Sequence, residues 1–273
     1  MAEQTVLIER NSAGTVETVI FNRYEKRNAL SYAALRALNL ELRRLAQDES
    51  VRVVVLRGSG NTFCSGLDLR EATNGSPISR DEALEFGIEA FEREPDLIPR
   101  GRVMPRLVQE AMKRVKLLPQ IVVGLAEGAA CGGGAGLLST CDYVVAERGF
   151  RFAFTETKRG LYPTLLFPFL KRKFPITLLQ EAVFTARPLD AEFAKAAGLA
   201  NRIESREQFA AAVDETVALF LSNEPNALRE AKRLFAQETL PPDSEIDRGW
   251  EGHWASWNSE QGREGVRAFL EKP

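Results

Sequence analysis

Two short runs rich in β-branched residues, Thr5–Glu9 and Thr15–Phe21, flank Asn11-Ser12-Ala13-Gly14. Runs of that kind joined by Asn and Gly predict a β-hairpin. The period then changes: Leu35, Leu38, Leu42 and Leu45 lie on one helical stripe. Ser31 precedes them, where a hydroxyl can accept from first-turn N–H groups, so a helix is predicted from Ser31 to about Gln47. Val51–Arg57, Ile121–Leu125 and Tyr143–Ala146 return to apolar runs and read as buried strands, with a short extended piece at Phe150–Phe154. The stretch from about Arg70 to Leu118 is charged and punctuated by Pro95, Pro99 and Pro105. Helices are predicted there over Asp81–Arg93 and Arg106–Lys116. From about Asp190 the pattern is helical: Ala191–Ala197 closing at Gly198, then Arg206–Ser222, Pro225–Gln237 and Ser259–Lys272. Strands alternating with helices predict an α/β domain with a mainly parallel sheet.

The polar interruptions carry the chemistry. Ile121–Leu125 feeds Gly128 and Gly132–Gly134, and an apolar helical segment, Ala135–Thr140, follows. A strand, a glycine turn and a helix start leave backbone N–H groups unpaired at the positive end of the helix dipole. Such a turn suits an anion, or a carbonyl oxygen that becomes one. Close packing of helix on strand would use the same glycines. Val51–Arg57 ends the same way, in Gly58-Ser59-Gly60-Asn61 and then Thr62-Phe63-Cys64-Ser65-Gly66-Leu67-Asp68-Leu69. Two turns, each aiming one N–H at a common point, are the minimum for an oxyanion hole. A dinucleotide site is the competing reading of the glycines, and Gly132-x-Gly134-x-Gly136 departs from the G-x-G-x-x-G spacing it needs.

Composition narrows this further. The 273 residues are 44% hydrophobic, enough for a sizeable core, and the formal net charge of −2 argues against a broad nucleic-acid surface. Cys64, Cys131 and Cys141 lack metal spacing and read as packing residues. The one histidine, His253, neighbours Trp250, Trp254 and Trp257, and reads as an aromatic-cluster or interface residue rather than a base. No run reads as a signal peptide or a membrane span, so a cytoplasmic protein with no membrane partner is expected.

The pair FCSGLDL and EGAACGGGAGLLSTCD resembles the crotonase family, the enoyl-CoA hydratase/isomerase superfamily. The resemblance extends to Arg27-Asn28-Ala29-Leu30-Ser31, to Glu156 with Gly160-Leu161-Tyr162-Pro163, and to Glu264-Gly265, Phe269 and Glu271-Lys272. It implies a repeated ββα spiral core with an acyl-CoA site over residues 1–190. It also implies a C-terminal helical oligomerisation region over 191–273, usually assembled as a homotrimer or dimer of trimers. The substrate would be an acyl-CoA thioester, with coenzyme A as part of the substrate and no separate cofactor or metal. The resemblance assigns the oxyanion donors to the amides of Leu67 and Gly133. It assigns coenzyme A contacts to the loop with Lys26, Arg27 and Ala29 and to the backbone of Ser65, Leu67, Asp68 and Leu69, with Gly133 opposite. Lys26 and Arg27 are candidates for its phosphates.

Hydratases of the family use two glutamates. One matches Glu156; the other position is Gly136 here, and no carboxylate replaces it. A single acid/base suffices to carry a proton between C2 and C4 of an enoyl thioester, so the missing partner favours isomerisation or other enolate chemistry. Hydration with a water held differently, and a non-catalytic acyl-CoA-binding subunit, are the alternatives. On this reading a glutamate placed at Gly136 would point at the same pocket and add hydration. The acyl group is not named by the sequence; Phe86, Phe91, Leu97, Met104 and Met112 are the candidate lining of its pocket.

Overall fold

A computed structural model describes residues 4–271; Lys272, the predicted end of the last helix, lies outside the described residues, as do the terminal ends of the two predicted regions. Six strands form the main sheet in the spatial order Val6–Arg10, Val16–Phe21, Val53–Gly58, Ile121–Ala126, Tyr143–Glu147 and Arg202–Glu204. The first pair is the predicted hairpin and is antiparallel. The Asn11 side chain holds its turn by accepting from the Thr15 and Val16 amides at 2.9 and 3.1 Å. Every other pairing in this sheet is parallel. Parallel neighbours need crossovers, and helices Tyr32–Leu45, Arg100–Leu117 and Gly133–Thr140 supply the first three. Ser31 caps the first of these, its hydroxyl accepting from the Ala34 amide at 3.1 Å.

A second sheet of three short strands stands beside the first: Ala129–Cys131, Arg151–Ala153 and Leu189–Asp190. The first two run parallel, with Cys131 opposite Ala153. This pairing fixes the site, because one strand leads into the glycine turn and the other into Glu156.

The core divides across the main sheet. One face, with the crossover helices, buries Leu35, Leu38, Leu42, Val54, Leu56, Val122 and Val144. The other buries Val53, Val55, Ile121, Val123, Leu125 and Val145 against Phe209 and Ala212 of the helix Arg206–Leu221. Full burial of one such aromatic contributes roughly 1.5–3 kcal/mol. The alternating faces of Val53–Gly58 explain why this strand reads as a continuous apolar run: it is covered on both sides.

Two helical expectations change. Asp81–Arg93 is not one helix: Arg80–Leu84 ends before Gly87, whose φ of +69° turns the chain, and a 3-10 turn follows at Glu89–Arg93. The predicted Arg106–Lys116 is the last two-thirds of Arg100–Leu117. Pro99 is its cap rather than a break, and Pro105 lies inside it. Proline removes one N–H there, but this helix packs against Tyr32–Leu45, Gly133–Thr140 and Asp243–Asn258, and that burial holds it. Helices Phe167–Lys173, Ile176–Thr185 and Asp243–Asn258 were not expected from the pattern.

Candidate active site

The loop before the first crossover helix positions one wall. Arg27 and Asn28 both have left-handed backbone, with φ of +52° and +54°. Such backbone is costly outside glycine, and least so for Asn. Hydrogen bonds hold it. The buried Asn28 side chain accepts from the Arg23 amide at 2.9 Å and donates to the Ser59 and Thr62 carbonyls at 3.0 and 2.7 Å. The backbone then zips this loop to the first turn: Ser65 donates to Arg27, Leu30 to Gly66, and Asp68 to Leu30. Asp68 caps the helix Leu69–Asn74 through the Glu71 amide and pairs with Arg23 at 3.1 Å. Its carboxylate is therefore committed to the protein.

The two turns meet edge to edge. Cys131 donates its amide to the Cys64 carbonyl at 3.0 Å. Gly66 has φ of +91°, and a β-carbon on it would stand 2.7 Å from the Cys131 carbonyl oxygen and 3.4 Å from the Gly133 nitrogen. Only glycine allows that approach. Among the described residues, the Leu67 and Gly133 amides donate to no protein group. Gly133 opens the helix Gly133–Thr140, so its N–H lies at the positive end of the dipole.

Glu156 lies three residues beyond the end of the strand Arg151–Ala153. Its carbonyl accepts from Arg159 and Leu161 at 2.9 and 3.1 Å, which fixes the turn. Its Oε1 lies 3.1 Å from where a β-carbon on Gly132 would be, so the bare glycine makes room for the carboxyl beside the turn. Oε2 is sealed from solvent and has no hydrogen-bond partner. Burial raises the carboxyl above the usual carboxylate range, against its own backbone amide and Arg159, which favour the charged form.

These elements enclose one cavity of about 350 Å³. Lys26, Arg27, Ala29, Ser65, Leu67, Asp68, Leu69, Gly133 and Glu156 all line it, so the structure brings every predicted site residue together. Leu161 of the Glu156 motif joins them, and the structure adds residues the sequence did not single out. Val108, Leu165 and Leu166 supply an apolar wall with Leu161, and Arg70, Arg159 and Leu270 join the rim. The Arg159 guanidinium stacks 4.1 Å from the Phe269 ring centre, and Arg70 donates to the Leu270 carbonyl at 3.1 Å. The last helix, Glu260–Leu270, is thereby tied over its own chain's cavity.

Two expectations change and a third is extended. Phe86, Phe91, Met104 and Met112 are core residues that do not line the cavity, and Leu97 is 64% exposed away from it. Met104 and Met112 share the helix Arg100–Leu117 with Val108 but are buried in the core, and Phe86 and Phe91 lie on the segment before that helix, whereas the wall comes from Val108 and the segment after Glu156. Gly136 does not open toward the pocket: a β-carbon there would meet Leu166 at 2.9 Å and the Met112 sulfur at 3.2 Å. These are the ends of two flexible side chains, so a glutamate there is accommodated only if Leu166 and Met112 move aside. His253 does contact the aromatic cluster, 5.9 Å from Trp257, but it also lines the cavity.

The cysteines are held as thiols. Burial pushes Cys64 and Cys141 up to about 12 and raises Cys131 as well. No group of three or more metal-ligating side chains stands together among the described residues.

This geometry is that of an α/β scaffold with a cavity of about 350 Å³, two free turn amides and one carboxyl oxygen sealed from solvent. The family model for enoyl-CoA hydratase/isomerase matches residues 11–94 and 100–273, and the chain belongs to that family. A Thermus thermophilus protein named as an enoyl-CoA hydratase is 31% identical over 266 residues, covering 95% of this chain and 96% of that protein. An enoyl-CoA hydratase of Mycobacterium tuberculosis is 28% identical, over 97% of this chain and 93% of its own length. The crystal structure of an enoyl-CoA hydratase from Mycobacterium avium superposes with a TM-score of 0.78 at 28% identity, over 98% and 97% of the two chains. The chain is thus an enzyme of the hydratase/isomerase family with the crotonase fold, and no described helix is long and apolar enough to cross a membrane.

Proposed function

We propose that this enzyme acts on an acyl-CoA thioester, stabilising its enolate between the Leu67 and Gly133 amides and using Glu156 as the single acid/base. The observation that carries the reading is Glu156 Oε2, sealed from solvent and without a partner among the described residues, beside a turn whose amides are free. The isomerase direction follows. Glu156 takes a proton from C2 of a 3-enoyl thioester. The electron pair moves to give a dienolate whose oxygen the two amides hold, and the same carboxyl returns the proton at C4. The double bond then lies between C2 and C3, and no water enters. Losing one such amide typically costs ~10²–10³ in rate. The crowding of Gly136 by Leu166 and Met112 supports one acid rather than two.

Hydration of a 2-enoyl thioester is the second reading, favoured by the relatives named as hydratases. It needs a water held by Glu156 and groups other than a second carboxylate. The proposal includes a cytoplasmic enzyme without cofactor, assembled as a homotrimer or dimer of trimers. Exposed Phe184, Leu234 and Phe235 are apolar surface that such assembly would cover.

A panel of 2-enoyl- and 3-enoyl-CoA thioesters tests this, with products identified by mass and double-bond position. Conversion of 3-enoyl to 2-enoyl without mass change is expected. A gain of one water on 2-enoyl substrates alone selects the second reading, and no turnover of either set overturns both.

A further inference from the structure

His253 is 4% exposed, and among the described residues neither ring nitrogen has a hydrogen-bond partner. Buried polar atoms are nearly always paired, and an unpaired one costs about 1–3 kcal/mol. The neighbouring polar groups are already committed. Trp250 donates its indole N–H to the Arg102 carbonyl, and Ser256 donates to the His253 carbonyl. Burial pushes the imidazole down to about 4, so at neutral pH it is uncharged, with one donor and one acceptor nitrogen.

The helix Asp243–Asn258 brings His253 into the lining of the cavity. Gly249 and Gly252 press against Thr164: β-carbons there would stand 2.6 Å from its carbonyl and 3.0 Å from its hydroxyl. Gln109 bridges the Leu165 and Ile246 carbonyls at 2.8 and 3.1 Å. This helix is therefore clamped to the segment carrying Leu165 and Leu166. Together with Val108 and Leu161 these form the wall in which His253 stands as the neutral polar ring. Both nitrogens are sealed as placed; a half-turn about the Cβ–Cγ bond exchanges Nδ1 with Cδ2 and Nε2 with Cε1 within the same outline, and pairing with a bound ligand uses that alternative placement.

We infer that His253 is a specificity-determining residue that hydrogen-bonds an oxygen on the acyl chain, so that the natural thioester carries a hydroxyl or keto group beyond C3. The inference rests on the acyl-CoA reading of this cavity. A plain hydrocarbon chain leaves the imidazole unpaired in the complex. A chain with a correctly placed oxygen pairs it, and a site built to bond such a group discriminates against the analogue lacking it.

The test compares matched enoyl-CoA thioesters of equal chain length, with and without a hydroxyl or keto group at successive positions beyond C3. The parent protein is expected to prefer one oxygenated chain by about tenfold or more in kcat/KM. His253→Phe, which keeps ring volume without the nitrogens, is expected to bring that ratio close to one. His253→Leu gives the same answer if the larger ring does not fit, and thermal unfolding reports whether each variant is folded. Equal treatment of the paired substrates by the parent, or a preference that survives in a folded His253→Phe, overturns the inference. Turnover without preference would leave the acyl-CoA reading standing, whereas absence of turnover on every thioester would overturn that reading itself.

Discussion

The two sides of the cavity differ in how their polar groups are satisfied. On the side of Lys26–Leu30 and Ser65–Leu69, the side chains of Asn28 and Asp68 are committed to hydrogen bonds, and the backbone is zipped loop to turn. On the side of Glu156 and His253, Glu156 Oε2, both His253 nitrogens and Arg159 Nε are buried without partners. The first side is complete before any ligand arrives, so its free amides keep their aim. The second holds groups left unpaired by the protein. A rigid cradle facing a wall of unsatisfied titratable groups is the division expected when the backbone stabilises charge and side chains move protons.

The largest break in this comparison comes from removing the unsatisfied carboxyl. Glu156→Gln is expected to lower turnover by about 10² or more while acyl-CoA affinity stays within a few-fold. It carries a stability signature as well. A carboxyl raised by burial holds its proton in the folded state to higher pH than in the unfolded one, so its contribution falls as pH rises from the ordinary carboxylate value of 4.5 through the raised value. Glutamine removes that loss. The variant is therefore expected to unfold at or above the parent temperature at pH 8, with the gap closing below pH 4.5. Near-normal turnover would place the proton carrier elsewhere. A variant less stable at pH 8 than at pH 4 relative to parent would mean that the carboxyl is stabilised in its charged form.

The satisfied side breaks through stability rather than through chemistry. Asn28→Ala leaves the Ser59 and Thr62 carbonyls and the Arg23 amide without their partner and puts alanine at φ +54°. Loss of about 3 kcal/mol is expected, read by chemical denaturation. A fall in kcat/KM should accompany it, because the same bonds seat Ser65–Leu69. A variant with parental stability would mean that the turn is held from elsewhere.

The two sides also differed in how legible they were. The hairpin, the Ser31-capped helix and both glycine turns follow from local rules: β-branched runs, an apolar stripe, a cap and residues that tolerate φ above zero. The helix Asp243–Asn258 does not. It carries Gly249 and Gly252 and weak helix formers, and it forms because those glycines let it lie on Thr164. His253 was therefore seen among tryptophans, but not at the cavity. Pro99 and Pro105 likewise hid the first turns of Arg100–Leu117, and with them the wall that includes Val108. At Gly136 the sequence suggested an empty seat, whereas Leu166 and Met112 converge there from distant segments. Local geometry was readable, but packing between remote segments was not.

The smallest expected effect sharpens the comparison at its solvent edge. Lys26 and Arg27 are exposed, line the cavity and enter no ion pair among the described residues. Their loop is fixed by Asn28 rather than by their own side chains, so Lys26→Ala removes a charge and leaves the cradle in place. If that charge faces the phosphates of coenzyme A, its interaction at exposed separation is worth about 1 kcal/mol, or roughly a fivefold rise in KM with kcat retained. Screening supplies the control. At 1 M salt the Debye length contracts to about 3 Å, and the difference between variant and parent should nearly vanish. A defect that persists at high salt would mean that Lys26 acts through packing. A fall in kcat with KM unchanged would mean that the loop aims the amides as well as the phosphates, and the line between a finished cradle and an attracting rim would have to be drawn further out.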